Sequence, residues 1–520
     1  MNKRNGPVVI SCCSALLCAA LANGQGRGGG DWTTSGNDAQ RSSWVRSDPK
    51  ISKAGMEKPG FAFLWKQKLN NDARQLNSLT QAVLMDRYIG YRGFRSLGYV
   101  GGSSDNIIAL DMDLGRIEWK KRLEGAPPPA SPTLTCPGGM TTPLTRPTST
   151  AIAGPPAGRG GGGGRGGPAK SGVGEPGQGA ITIPPPVAAN PDAGRGAFPG
   201  AAGRRGGGGG QRTAQLVYAL SSDGKLHGMY VSNGEEPAAA IPFLPANANA
   251  SGLIVIDNMA YAATSNGCAG VPNGVWALDM ASKQVTSWKS NGSIVGSAGP
   301  SFSPDGTIYA ATDAGELVAL DPKTLKVTAT YKTGGPAFVS SPVIFEYKEK
   351  PLIAVAAKDG RLHLLPSTLG TAAFKTPAAT EILASALATW QDADGTQWVL
   401  SPAASSVVAW KVVDQNGAPA LEQGWSSRDL VSPLPPMVVN GVVFAVSSGE
   451  FRSKDVKTTV SKSSHAVLYA LDGRTGKELW SSGNTITSFV HSGGLSAGAS
   501  RLYLQTYDGT LYAFGFPIEH

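Results

Sequence analysis

Charge is scarce in this chain. Only 16% of its 520 residues are Asp, Glu, Lys or Arg, against about a quarter in an ordinary soluble domain. Histidine is scarcer still. There are five, none in an H-x-H or H-E-x-x-H spacing, so a zinc centre of the helical hydrolase type is not expected. No C-x-x-C-H segment is present, which excludes covalently attached haem. Long apolar runs are also missing. The only candidate, Val8 to Leu21, is shorter than the ~20 residues a spanning helix needs. No long segment sustains a 3.6-residue period, and turn dipeptides punctuate the chain throughout, so a helical architecture is excluded.

That short apolar run has another reading. Lys3 and Arg4 precede it, and Ala20-Leu21-Ala22 supplies an A-x-A cleavage site, so residues 1–22 read as a secretory signal peptide. A retained anchor and a lipid-attachment box at Cys12 are the alternatives. Export places the chain in the periplasm or outside the cell. Three of the five cysteines, Cys12, Cys13 and Cys18, leave with the signal. Cys136 and Cys268 remain, and two cysteines in an exported chain suggest one disulfide. Two unpaired thiols are the alternative.

What the chain has in abundance is glycine, 69 residues, partly in one stretch. Residues 126–213 contain GGGGRGGPAK, IPPPV and GRRGGGGGQR. Such a segment buries too little apolar surface to offset its ordering entropy and reads as disordered. It carries eight Lys or Arg against Glu175 and Asp192. With the signal it accounts for nearly all of the net charge of +9, so the remainder is close to neutral. Its Arg-Gly-Gly units resemble RNA-tracking segments, but in an exported chain a solvated spacer fits better, and no nucleic-acid partner is expected.

The most informative segment is AVLYALDGRTGKELW, Ala466 to Trp480. It sets Ala470, Asp472, Thr475, Gly476 and Trp480 in the spacing A-x-D-x-x-T-G-x-x-x-W. Eroded copies recur at Ala109, Asp111, Gly115, Trp119, at Ala277, Asp279, Trp288, and at Ala319, Asp321, Thr324. VLYALD alternates like a half-buried strand. In DGRTGK, Asp472 can accept from the backbone two residues on, and Gly476 can take the positive φ that closes a tight turn. Trp480 then lies on a buried face of the return strand, positioned to fill the gap between sheets. Ala277 to Ala319 is 42 residues, Ala319 to Leu364 and Leu364 to Ala409 are 45 each, and Ala470 to Ala513 is 43, a period that suits one four-stranded propeller blade.

Eight such third strands can be counted, near 106–111, 225–230, 274–279, 316–321, 361–366, 405–411, 466–472 and 509–515. The fold expected is an all-β, eight-bladed β-propeller over residues 61–520, with seven blades as the alternative because copies two and five are eroded. The last copy stops before its fourth strand. FAFLWKQKL, residues 61–69, is unused and carries Trp65 at the Trp position. It is expected to complete the last blade and close the ring, removing free sheet edges. Residues 23–60 form a lead-in.

The repeat resembles that of the pyrroloquinoline-quinone (PQQ) β-propeller superfamily. Asp31-Trp32 and Gly36-x-Asp38-Ala39-Gln40-Arg41 are similar to its W-x-x-x-G-x-D-x-Q-R lead-in. That superfamily includes quinoprotein dehydrogenases and non-enzymatic members, such as the lipoprotein that helps assemble outer-membrane β-barrels. The resemblance implies two readings. One is a PQQ- and Ca²⁺-dependent alcohol or sugar dehydrogenase, which needs a flat quinone, a calcium held by oxygens and an Asp base. Its enzymes usually add adjacent cysteines, yet the only adjacent pair here, Cys12-Cys13, lies in the signal. The other, which we expect, is a non-catalytic binding or assembly scaffold with envelope-protein partners and no cofactor. Polysaccharide binding is a third possibility.

Candidate functional side chains are few. Asp111, Asp279, Asp321 and Asp472 share one repeat position and read as turn residues. Asp105, Asp223, Asp313, Asp359 and Asp508 fall in a second set of turns. His227 and His363 share a third-strand position and read as packed. Glu450 and Asp455 lie outside the repeat and are marked only by position. Arg452, Lys454, Lys457 and Lys462 form an exposed basic loop.

Overall fold

The computed structural model describes residues 31–90, 93–152, 215–370, 374–378, 385–492 and 494–517. The segment read as a signal peptide and residues 153–214 lie outside these. Eight antiparallel sheets form a closed ring. Blade one runs through Val83–Gly90, Gly93–Gly102, Asn106–Asp111 and Arg116–Arg122, and its strands pair in chain order from the axis outward. The third strands of the other blades are Lys225–Tyr230, Gly274–Asp279, Glu316–Leu320, Leu362–Pro366, Val407–Gln415, Val467–Asp472 and Thr510–Gly515. The eight blades and the four-stranded plan are thus those expected from the repeat period.

Strand burial follows from sequence. The second and third strands are apolar runs such as VVFAVS and VLYALD, covered on both faces by neighbouring blades. The fourth strands alternate, as QVTSWK and VTATYK do, and leave one side to solvent. Ala62–Lys68 pairs antiparallel with Thr510–Gly515 and supplies the outer strand of blade eight. The chain therefore closes its ring with its own N-terminal part. Among the described residues, no helix is long and apolar enough to cross a membrane.

Two features were not legible in the repeat. The first is blade two, whose inner position is taken by Thr145. This residue exchanges both backbone hydrogen bonds with Tyr218, at 2.9 and 2.8 Å. Residues 126–152, assigned by composition to a disordered insertion, are thus part of the ring. Pro147–Thr148 adds a further short parallel pairing to the first strand of blade three.

The second is the lead-in, which visits the blades in order. Trp32 pairs with Leu84 of blade one, and the Thr33 carbonyl accepts from Arg146 N beside blade two. Thr34 Oγ1 donates to Leu253 O of blade three at 2.9 Å. The carbonyls of Ala39, Gln40, Ser42 and Ser43 accept from Phe302, Ile344, Thr389 and Val438, in blades four to seven. Asp48 accepts from Ser500 N and Oγ in blade eight, at 2.9 and 2.7 Å. This segment satisfies inner-strand donors that would otherwise face the axis unpaired, and it fills one end of the channel.

Candidate functional site

The repeat carboxylates are spent on turns. Asp472 Oδ1 accepts from the amides of Arg474 and Thr475 at 2.9 and 3.1 Å. Asp111 does the same with Asp113 and Leu114, Asp279 with Ala281 and Ser282, and Asp321 with Lys323 and Thr324. All four are the same side-chain turn. Burial raises the Asp472 carboxyl. Its bond to Lys53 (2.6 Å) and to the Arg474 amide outweigh that effect and hold it below the usual carboxylate range. The Asp111 carboxyl is pushed up by burial.

The motif tryptophans dock between blades. Trp65, on the closing strand of blade eight, lies over Gly115 of blade one, where an added Cβ would come within 2.6 Å of the ring. Trp119 covers Gly234 of blade two in the same way and donates to Val231 O at 3.1 Å. Gly476 is covered by Trp425 of blade six, which donates to Gly473 O at 2.9 Å. Trp480 meets Phe61 and Phe514 at ring-centroid distances of 4.9 and 5.7 Å. Trp288 packs against the cluster that contains Leu325 of blade four. Where the motif has lost its glycine, the turn persists. Lys283 and Leu325 occupy that position at φ 59° and 53°.

The axis holds a funnel of about 980 Å³. Ser35, Gly36 and Ser43 of the lead-in line it and form its floor. Beneath them Arg41 is buried, 1% exposed. It donates to Pro300 O, Ser35 O, Gly252 O and Thr34 Oγ1 at 2.8, 2.8, 2.9 and 2.9 Å. Burial lowers its pKa to about 9, so it stays charged at neutral pH. The wall is rich in hydroxyl and amide side chains, among them Ser78, Thr80, Ser251, Asn266, Ser297 and Ser385.

The ionisable side chains on this wall are Asp313, Lys358, Glu450, Arg452 and His491. Glu450, 5% exposed, is bonded to His491 Nδ1 and lies 3.8 Å from Arg452. Sequence position had marked Glu450, but nothing in the spacing signalled its pairing with a histidine some forty residues on. Asp455 caps the helix Val456–Lys462, accepting from Thr458 N at 2.7 Å.

A disulfide joins Cys136 to Cys268, with Cα atoms 5.4 Å apart. It ties residues 126–152 to blade three beside the funnel, where the Thr135 carbonyl accepts from Asn249 and Asn266 at 3.2 and 3.1 Å. The remaining histidines lie elsewhere. His227 bridges Ser221 and Glu236, at 3.0 and 3.1 Å. His363 is buried against Tyr331 and Phe338. His465 is exposed, and His520 lies outside the described residues. Gly494-Leu495-Ser496-Ala497-Gly498 has a nucleophile-elbow spacing. Ser496 is fully buried on the inner strand Ser496–Gly498 of blade eight, whereas an elbow needs an exposed serine at a strand-to-helix turn.

A quinone and its calcium can be tested against this lining. A stacked quinone needs flat aromatic faces, and Phe338 is the one aromatic among the described lining residues. Calcium needs convergent oxygens. The lining carboxylates are engaged separately: Asp313 accepts from Ser293 N at 2.8 Å, and Glu450 holds His491. Among the described residues no group of three His, Cys, Asp or Glu is placed to hold a metal ion. The donor set does not match that pair of groups.

Comparison with known proteins bears on the fold. No protein-family model and no curated protein matches the chain. Among solved structures, the quinohemoprotein alcohol dehydrogenase of Comamonas testosteroni matches at 13% identity and a TM-score of 0.56, over 94% of this chain and 81% of that one. The fold is that of the quinoprotein propellers. A europium-containing methanol dehydrogenase matches at 10% identity and TM-score 0.54, over 94% and 98%. BamB from Moraxella catarrhalis matches at 13% and 0.48, over 88% and 99%. At these identities the quinoprotein likeness is one of architecture, and function has to be argued from the site.

Proposed function

We propose that this chain is an exported, non-catalytic propeller that holds an acidic protein partner in the cell envelope at the mouth of its funnel. The observation that carries this reading is the loop that blade seven adds between its second and third strands. It leaves Phe451 43% and Val460 38% exposed, interleaved with Arg452, Lys454, Lys457 and Lys462. Lys462 Nζ stands 5.1 Å over the Phe451 ring. Val431, 54% exposed, adjoins the base of this loop, where Ser448 Oγ reaches the Val431 carbonyl and Ser432 Oγ the Glu450 carbonyl. Apolar side chains interleaved with four cations against the one capping carboxylate Asp455 form a net basic surface suited to a partial hydrophobic contact with an acidic rim. Arg452 also lines the funnel, so surface and cavity are continuous.

The repeat Asp residues are committed to turns, and among the described residues the funnel shows neither the aromatic slot nor the convergent oxygens a quinone dehydrogenase requires. Both support binding over turnover. The test is a photo-crosslinker placed at position 451 in the native envelope, with position 285 on blade three as control. The expected result is one discrete adduct from 451 that fades in Lys454→Glu/Lys457→Glu protein and is absent from 285. A solitary chain at 451, or the same adducts at both positions, contradicts the reading.

A further inference from the structure

At the base of the funnel, two hydroxyls lack partners. Ser35 Oγ and Ser251 Oγ are both buried with no hydrogen-bond partner among the described residues, and both residues line the cavity. Ser35 is 4% exposed. A buried hydroxyl left unpaired costs about 1–3 kcal/mol, so two among the lining residues of one cavity call for an explanation. Their placement comes from Arg41. One guanidinium nitrogen donates to Ser35 O and the other to Gly252 O, at 2.8 and 2.9 Å. The two serines are thereby held near each other, where the lead-in meets the wall at blade three.

Close approach here depends on glycine. A Cβ on Gly252 (φ 66°) would come 2.6 Å from Ala298 O, leaving no room for a side chain between blades three and four. The Arg41 charge is only partly answered. Its hydrogen bonds go to three carbonyls and one hydroxyl, while Asp38 on the same segment is turned to Ser42 N and Oγ, at 2.9 and 2.5 Å. In a low-dielectric floor such a cation attracts negative charge above it.

We propose that the funnel floor is a carboxylate subsite, in which Ser35 and Ser251 each donate a hydrogen bond to one oxygen of a bound carboxylate and the buried Arg41 supplies the field. Hydroxyl donors to an ionised acceptor make strong, short bonds. A neutral polyol would use the hydroxyls but gain nothing from the cation. The carboxylate has two sources: a free small acid, or the side chain or C-terminus of an acidic peptide inserted into the funnel. The subsite is independent of the docking surface around Phe451.

The test is calorimetric titration of the full chain with succinate, with a short glutamate-containing peptide and with neutral trehalose, repeated with Ser35→Ala/Ser251→Ala protein. The expected result is saturable, salt-sensitive binding of at least one carboxylate probe. Binding should weaken about tenfold or more in the double variant, whose melting temperature is no lower than that of the parent. Succinate binding identifies a free acid as sufficient; binding of the peptide alone identifies an acidic chain. No binding of either acid, undiminished binding in the variant, or trehalose binding as tightly overturns the proposal. The crosslink from position 451 is read in the same variant, so loss of the subsite and loss of the docking surface are separate outcomes.

Discussion

Glycine 476 and lysine 283 occupy the same turn position in different blades, both at positive φ, and they carry opposite consequences. At Gly476 (φ 70°) an alanine Cβ would lie 2.5 Å from the Trp425 ring. Gly476→Ala should therefore lose the docked tryptophan as well as incur backbone strain, costing about 2–4 kcal/mol. At Lys283 the strain is already present, and Lys283→Gly should gain up to about 1 kcal/mol. Denaturant titration of the two variants reads both signs. His363 makes a second case. Burial pushes its pKa down to about 4, its Nδ1 meets the Tyr331 hydroxyl at 3.1 Å and its Nε2 has no partner among the described residues. Above pH 6.5 the imidazole is neutral folded or unfolded. Between 6.5 and 4 only the unfolded chain takes the proton, so stability is lost as the pH is lowered through that window, by up to roughly 3 kcal/mol. His363→Gln should flatten this part of the melting-temperature profile; an unchanged slope would assign it to other groups.

Strands and turns were readable where local chemistry specifies them. All eight third strands lie where the repeat places them, because VLYALD-like runs alternate and Asp-x-x-Thr-Gly closes the following hairpin by itself. The closing strand was also legible, since Trp65 carries the repeat's signature without a blade of its own. Trp65→Ala should cost about 3 kcal/mol, read as lowered cooperativity and midpoint in urea. Composition misjudged residues 126–152. Proline, threonine and glycine there have no periodicity, and their order comes from long-range partners: Tyr218, Cys268 and the first strand of blade three. Excising 153–213 removes none of these contacts and should leave the melting temperature unchanged. Excising 126–152 removes the inner position of blade two and the disulfide, and should lower it by several degrees or abolish folding.

For the whole molecule, the ring is a cyclic stack of sheets tied at the axis by its own N-terminal segment. Trp32, Asp38 and Arg41 were visible as letters of a lead-in motif, but the segment's route past every blade depends on contacts hundreds of residues away, which no local pattern encodes. The same is true of the funnel. Its serines come from many blades, and only closure of the ring assembles them above Arg41. The result is a polar cup with committed carboxylates and a basic, partly apolar lip, which on the proposed function binds and does not oxidise. Titration of purified protein with PQQ and Ca²⁺, followed by quinone absorbance and dye reduction with alcohols and aldoses, tests that claim most directly. No stoichiometric quinone and no dye reduction are expected; one quinone per chain with substrate-dependent reduction overturns the proposed function.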